Sequence, residues 1–417
     1  MTVLGIYSWT RLWSMGERRG AESFSLSFNA FVKRGHALHV VAPREPGQPR
    51  VESQGGVTLH RFGPAWNLLP DPFRRPLPLR IAERVAKYAA FQILASWTAL
   101  RVGRRVGPDA VVAFGAFGVP ASRWVARRLG VVNVTRLFGQ SLNLCVGRRL
   151  KYYGNFPEIF AMKSPSAYVV LHDDGAEGDE MARLLGVPEE RFRYWKNGID
   201  PDLHRPDMDT DAVRRELGFG KEHILLFCVT RMAYEKHLDR VLDALPSVLE
   251  REPRVRLFLV GDGAERERLE EKVRTMGLAG HVRFTGAKPR EELYRYFNTG
   301  DVFLSVSDRT NGGNPTVEAM YCERPVLVLG TGGTARLVED RKTGIVLAPA
   351  DLRELPARIL ELASDDGLRR RLGRAAREAV SSQVPTIEER QRMEAEIVEQ
   401  AVAESRCRAR FKAGAPA

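Results

Sequence analysis

Arg231 and Lys236 stand five residues apart in Val229-Thr230-Arg231-Met232-Ala233-Tyr234-Glu235-Lys236, directly after the apolar run 224–229. A strand that ends in a loop and re-enters as a helix presents backbone amides to anions. Two cations across such a loop can hold a diphosphate from two sides, each charge-assisted hydrogen bond contributing ~1.5–3 kcal/mol. Taken alone, each is equally an ordinary surface charge. Three more junctions repeat the layout. Leu259-Val260-Gly261-Asp262-Gly263 ends one apolar run, and glycine there lets backbone approach a ligand, or merely makes a tight connection. Ser305 to Met320 carries Thr310, Asn311, Gly312, Gly313 and Asn314 ahead of a helix whose first turn holds Glu318. Consecutive glycines beside a helix start offer amides to a phosphate or hydroxyl, and a carboxylate at Glu318 can accept both hydroxyls of a ribose diol or simply favour the helix dipole. Gly330-Thr331-Gly332-Gly333-Thr334 is the fourth junction.

The first half of the chain holds two further candidates. Ser14-Met15-Gly16-Glu17-Arg18-Arg19-Gly20 follows the first apolar run and reads as a phosphate-cradling loop, although it does not match Gly-x-Gly-x-x-Gly. His172-Asp173-Asp174-Gly175 ends another run. Asp174 and its neighbours there suit acid/base work or hydroxyl binding, and equally a capped turn. No nucleophile elbow, Walker loop or His-Glu-x-x-His pair occurs, which removes the commonest hydrolase, phosphate-hydrolysing and zinc-protease readings.

The elements that must position these residues come from the alternation of apolar β-rich runs with amphipathic helical stretches. Strands are expected at 3–7, 37–42, 57–61, 110–113, 131–135 and 167–171, then at 224–229, 255–260, 282–284, 302–306, 325–329 and 345–347. Helices fall between most of them, including 235–250 and 265–276. Parallel sheets covered by helices follow, twice over. The chain's 417 residues are too many for one core. The turn-rich Asn197-Gly198-Ile199-Asp200-Pro201-Asp202 divides the halves. The expected organisation is an N-terminal Rossmann-like domain 1–198, a C-terminal one 199–380, a helix 381–405 returning toward the first domain, and a disordered basic tail 406–417. The stretches 43–53 and 63–78 read as loops, the second because of its prolines.

Composition limits the partners. Four cysteines without a Cys-x-x-Cys pair indicate neither a zinc site nor a disulfide framework, and suit a reducing cytoplasm. The start reads as a strand rather than a leader, and 89–100 is too short and polar to span a bilayer. The net charge of +12 comes with no nucleic-acid motif. Its richest part, 74–105, is a solvated helix face or a peripheral contact with an anionic inner-membrane surface.

In this order, the junctions resemble family 4 of the retaining glycosyltransferases, whose fold is the double-Rossmann arrangement called GT-B. The resemblance covers nearly the whole chain. It is carried by Ala30 to Val41, by Asn197-Gly198-Ile199-Asp200, by Arg231 with Lys236, and by Glu318-Ala319-Met320 followed by Arg324-Pro325-Val326. It implies an α/β fold of two Rossmann-like domains with an interdomain cleft, and transfer of a sugar from a UDP- or GDP-sugar to an acceptor hydroxyl with retention. Arg231 and Lys236 would stabilise the departing diphosphate, with no metal needed and no cofactor beyond the nucleotide-sugar co-substrate. Glu318 would hold the ribose, the backbone of Gly312, Gly313 and Asn314 would approach the donor, and Gly16 to Gly20 would close over the diphosphate from the other domain. The acceptor would be a sugar, a metabolite or a lipid-linked molecule bound by the N-terminal domain. The family usually carries a glutamate where Thr310 stands, which moves expected sugar contact to Asp308, Asn311 or Asn314. It also commonly has a histidine after the strand 131–135, where this chain reads Thr135-Arg136-Leu137-Phe138-Gly139-Gln140, so the turn at Asp174 is expected to supply polar contacts. A nucleotide-sugar 2-epimerase on the same fold and a silent binding protein are the alternatives.

Overall fold

The computed structural model describes residues 1–8, 22–63, 77–139, 142 and 155–414. They form two compact units. The first comprises 1–172, 178–195 and the stretch from 387 onward; the second comprises 173–177 and 196–386.

The first unit is built on an eight-stranded sheet ordered β3-β4-β2-β1-β5-β6-β7-β8. Its strands are β1 (Thr2–Tyr7), β2 (Ala37–Pro43), β3 (Val51–Gln54), β4 (Val57–Phe62), β5 (Ala110–Phe114), β6 (Val132–Leu137), β7 (Tyr168–His172) and β8 (Phe192–Trp195). All neighbours are parallel except β3 and β4. Helices α1 (Glu22–Lys33), α2 (Leu77–Val106), α3 (Val119–Leu129), α4 (Phe156–Lys163) and α5 (Gly178–Leu184) lie between strands. β5, with all five residues buried, shows why the strands read as continuous apolar runs: both faces of a parallel sheet are covered.

The second unit has a six-stranded parallel sheet ordered β11-β10-β9-β12-β13-β14. Its strands are β9 (Ile224–Val229), β10 (Val255–Val260), β11 (Val282–Gly286), β12 (Val302–Ser305), β13 (Val326–Leu329) and β14 (Ile345–Leu347). Its helices are α6 (Thr210–Leu217), α7 (Leu238–Leu249), α8 (Arg266–Thr275), α9 (Arg290–Thr299), α10 (Asn314–Tyr321), α11 (Leu355–Ser364) and α12 (Asp366–Gln383). Phe227 at the sheet centre stacks on Phe258 at 5.3 Å and meets Phe303 and Phe297 edge-on at 5.3 and 5.9 Å, fixing β9, β10, β12 and α9 together. The strand order reverses between β9 and β12. In open α/β sheets ligands bind outside the carboxyl ends of the strands at such a reversal. The loops that start at Thr230 and Val306 begin there.

The structure departs from the expectations at four places. The stretch 43–53, expected as a loop, supplies most of β3, whose hairpin partner β4 begins three residues after β3 ends. The helix expected over 235–250 starts at Leu238, because His237 adopts the left-handed conformation (φ 48°) after a single 3-10 turn, Tyr234–Lys236. The units divide at Lys196 rather than 199. The final helix α13 (Ile387–Gly414) continues through the tail expected to be disordered. Its alanines, arginines and lysine are good helix formers, Arg408 pairs with Glu404 one turn back, and Arg406 reaches Asp109 at 2.5 Å. α13 packs on α1 through Ser27 Oγ to Glu394 at 3.0 Å and Lys33 Nζ to Gln391 at 2.9 Å.

Candidate functional site

The loop after β9 is shaped by the loop after β10. Thr230 N–H donates to Val260 O at 3.0 Å and Met232 N–H to Asp262 O at 2.9 Å. Gly261 (φ 142°) has no room for a side chain, since a Cβ would lie 1.9 Å from Thr230 O. Asp262 is engaged in its own turn, accepting from Gly263 N–H at 2.7 Å and pairing with Arg266 at 3.1 Å. Gly261 and Asp262 thus serve as the mould of the cation loop through their backbone.

Within that loop Arg231 is exposed and bonded to Glu235 at 2.8 Å. Lys236 is half-buried. Burial pulls its ammonium below the usual lysine range, Arg309 and Arg231 add to this, and Glu235 and Asp174 oppose it. The strained His237 is held by Asp308, whose Oδ2 lies 2.8 Å from His237 Nε2. Arg240 takes the other oxygen of Asp308 at 2.5 Å and also donates to Val306 O at 3.0 Å. Asp308 is therefore a clamp between the β9 and β12 loops, and both its oxygens are occupied. Ser307 Oγ, donating to Glu235 O at 3.0 Å, is a second clamp.

Asn311 organises the β12 loop from inside. It is 2% exposed. Its amide nitrogen donates toward Ser307 O, Leu329 O and Thr331 Oγ1 at 3.0, 2.7 and 3.0 Å, and its oxygen accepts from Ser305 Oγ and Ser307 N–H, both at 2.8 Å. That saturates the side chain within the protein itself. Gly313 is different. It caps α10 without any side-chain bond to the helix amides, and nothing lies within 4 Å of where a Cβ would point. The half-buried Asn314 begins that helix.

The segment 173–177 clusters with this unit and packs on the glycine loops. Gly333 N–H donates to Gly175 O at 2.7 Å, and a Cβ on Gly175 (φ 77°) would meet Thr310 Oγ1 at 2.5 Å and Gly312 Cα at 3.2 Å. Thr310 Oγ1 accepts from Gly312 N–H at 3.2 Å and faces Asp174 O at 3.5 Å. Asp173 closes its own turn and bonds Lys196 at 3.0 Å. Asp174 Oδ1 accepts from Ala176 N–H at 3.1 Å, and Oδ2 stands 3.9 Å from Arg309. Burial raises the Asp174 pKa, against the lowering effect of Arg309. Lys236, Arg231, Arg309, Glu235 and Asp174 thus share one electrostatic neighbourhood.

Glu318 lies on α10, 6% exposed, with Arg290 Nη1 donating to its Oε1 at 3.0 Å. Arg290, at the first position of α9, and Arg309 escaped the sequence reasoning. Arg290 is 28 residues from its partner, and Arg309 sits among polar loop residues with no periodic signal. Gly16 and Gly20 lie outside the described residues. Among those residues no group of three or more His, Cys, Asp or Glu is placed to hold a metal ion. A cavity of roughly 750 Å3 bordered by Asn133, Ser166 and Tyr168 opens at the amino ends of β6 and β7.

The family model described as Glycosyltransferase Family 4 matches residues 28–203, and that described as Glycosyl transferases group 1 matches 209–379. The chain is 27% identical over 372 residues to the GDP-mannose-dependent alpha-(1-6)-phosphatidylinositol monomannoside mannosyltransferase of Mycolicibacterium smegmatis, covering 86% of this chain and 90% of that one. Among solved structures it resembles Anabaena Alr3699/HepE in complex with UDP (TM-score 0.69, 17% identity, 97% and 99% covered). It also resembles sucrose-phosphate synthase from Thermosynechococcus elongatus (TM-score 0.68, 19% identity, 99% and 100% covered). The likeness to the solved structures extends to the whole GT-B fold.

Proposed function

The chain belongs to the group 1 glycosyltransferases of family 4, and we propose that it moves a hexose from a UDP- or GDP-sugar to an acceptor hydroxyl with retention of anomeric configuration. The observation that carries this is the convergence of Lys236, Arg231 and Arg309 at the strand-order reversal, beside the start of α10 at Gly313, where nothing lies within 4 Å of the place a Cβ would take. As the anomeric C–O bond breaks, negative charge grows on the departing diphosphate. Lys236 and Arg231 are positioned to meet that charge, which stabilises the transition state more than the ground state. Gly312, Gly313 and Asn314 approach the donor with backbone, Glu318 accepts the ribose hydroxyls, and Asp174 provides a carboxylate on the sugar side. Cations so placed do the work of a divalent metal, so turnover is expected to persist in chelator.

The relatives support both bases: one is named for GDP-mannose, and one solved neighbour holds UDP. Their names also keep a lipid-linked acceptor and a small metabolite open, since one acts on phosphatidylinositol monomannoside and another is named D-inositol 3-phosphate glycosyltransferase.

The test is a thermal-shift panel of nucleoside diphosphates followed by product analysis. One diphosphate should raise Tm by mass action. A panel in which none does so at millimolar concentration refutes the donor site. Nuclear magnetic resonance of the glycoside product then reads the anomeric configuration, and inversion refutes retention. A donor that binds but is never consumed with any acceptor from a cell extract leaves a silent binding protein instead.

A further inference from the structure

The cavity of roughly 750 Å3 at the amino ends of β6 and β7 is walled by α3, by the 3-10 turn before β8 and by the last turns of α13. That volume is in the range of small-molecule sites, and a bare phosphate would leave most of it to water. All its lining residues belong to the first unit, whereas Lys236, Arg309 and Gly313 belong to the second.

The floor and one wall are preformed. Asn133 Nδ2 donates to Val111 O at 3.1 Å and to Ser122 Oγ at 3.0 Å, and Ser166 Oγ donates to Asn133 Oδ1 at 3.0 Å. Tyr168 O–H donates to Glu404 Oε1 at 2.8 Å, which fixes α13 to β7, and Arg193 lies 5.1 Å over the Tyr168 ring. Ala126, Val132 and Ala401 add apolar surface. The polar atoms of the floor are thus spent inside the protein, and charge is left to the rim.

That rim is cationic. It carries Arg123, Arg127, Arg191 and Arg408 against Glu190 and Glu404. Glu404 is already engaged, since it also accepts from Gln400 Nε2 at 2.9 Å and lies 3.6 Å from Arg408. Among the described residues, the guanidiniums of Arg123, Arg127 and Arg191 have no hydrogen-bond or ion-pair partner. Other arginines of the same unit do find carboxylates: Arg34 bonds Glu399, Arg61 bonds Glu52 and Arg136 bonds Glu394. Three unpaired guanidiniums around one cavity repel each other until an anion enters. The guanidinium fork matches phosphate oxygens two at a time. A phosphate monoester brings roughly −1.5 to −2 charges near neutral pH, where a single carboxylate brings one. The remaining volume and the alanine and valine surface suit an organic body attached to that phosphate.

We propose that this cavity binds a small phosphorylated metabolite, its phosphate held by Arg123 and Arg127 of α3 and by Arg191, its organic body against Ala126, Val132 and Ala401. The site is additional to the donor site and does not depend on it.

Calorimetry of the full-length protein tests this with glucose 6-phosphate, adenosine monophosphate, inorganic phosphate and glucuronate. At least one of the two organic phosphates should bind at least about ten-fold more tightly than inorganic phosphate or glucuronate. Arg123→Gln with Arg127→Gln should weaken that binding at least about ten-fold at unchanged Tm. Arg191→Gln, on a separate segment, should weaken it at least about three-fold and carries the test if the double variant is unstable. Arg371→Gln with Arg374→Gln removes the same charge from α12 of the second unit and should leave binding within about two-fold. Lys236→Ala should leave it unchanged. The proposal is overturned if neither organic phosphate binds better than inorganic phosphate, or if the cavity variants bind like wild type. An equal loss in the α12 variant overturns it as a diffuse charge effect, and a loss in Lys236→Ala assigns the binding to the donor site. Variant-sensitive binding to phosphatidic acid vesicles, with none to the soluble probes, also overturns it by assigning the arginines to a lipid headgroup. The readout involves no turnover, so its failure leaves the transferase proposal standing.

Discussion

Replacing Lys236 by methionine removes one ammonium and keeps most of the side chain's length. If that ammonium meets charge developing on the departing diphosphate, its loss resembles the loss of one oxyanion donor, which costs roughly 2.7–4 kcal/mol, or about 10²–10³ in kcat. The folded state gives an independent check. Burial, with help from Arg309 and Arg231, pulls the Lys236 ammonium below its ordinary value of 10.5, against Glu235 and Asp174. The charged form is therefore less favoured in the native protein than in the unfolded chain. A folded pKa below the unfolded pKa makes charged Lys236 destabilising at neutral pH, and that penalty lifts as pH rises from the folded value toward the ordinary one. Lys236→Met should accordingly hold or raise Tm while turnover collapses. Because the working form is the ammonium, kcat/KM of the wild type, which reports the free enzyme, should fall on the alkaline side at a pH below the normal lysine range. Lys236→Arg should restore part of the rate and carry that limb upward, since a guanidinium does not titrate there. Initial rates across pH at donor concentrations below and above KM, with Tm for every variant, decide the matter. A methionine variant within about three-fold of wild-type kcat, or one whose loss is matched by a collapse in Tm, refutes the leaving-group role.

Two glycines at strand ends should behave oppositely. Gly261→Ala places a methyl 1.9 Å from Thr230 O at φ 142° and should cost more than about 2 kcal/mol in chemical denaturation. Gly313→Ala points into open space and should leave stability within about 0.5 kcal/mol while weakening diphosphate binding by calorimetry. Glu318→Gln keeps the shape but removes the charge shared with Arg290; donor KM should rise about ten-fold with little change in kcat, because ribose binding is common to ground and transition states. Glu394 is buried, which alone would raise its pKa, but Arg136 and Arg390 outweigh burial and hold it below the usual carboxylate range. Its stabilisation is present above the ordinary glutamate pKa and is lost as pH falls through the folded one, and Glu394→Gln should cost roughly 3–5 kcal/mol at neutral pH.

The fold was readable wherever burial on both faces of a sheet forces an unbroken apolar run. Ile224–Val229 is six buried residues in succession and could hardly be anything else. β3 and β8 escaped because they are edge strands. Val51 is 58% exposed, all four residues of Phe192–Trp195 are only part-buried, and neither carries the run that a central strand does. The start of α7 was misplaced by a side chain 71 residues away: Asp308 holds His237 in a conformation that no local propensity favours. The tail was misjudged because its charges find partners in three dimensions, Arg406 at Asp109 above all.

The site divides along the same line, between backbone and side chain. Gly261, which matters through its backbone, announces itself, because only glycine tolerates its close approach to Thr230 O. Positions that matter through pairing do not. Asn311 and Asp308 look like ligands in sequence because they are polar residues in a glycine loop, yet their atoms are spent on Ser307, Leu329, His237 and Arg240. Arg309 and Arg290 look like surface charges, yet they set the fields of Asp174 and Glu318. Thr310 stands where the family usually carries a glutamate. Its hydroxyl is turned inward to Gly312 N–H and the Asp174 carbonyl, so it acts as a spacer that packs segment 173–177 against the glycine loop. Of the carboxylates in that neighbourhood, Asp308 is already clamped and Glu235 is tied to Arg231. Asp174, 3.9 Å from Arg309 and carrying a raised pKa, is therefore the carboxylate we propose to discriminate among donor sugars.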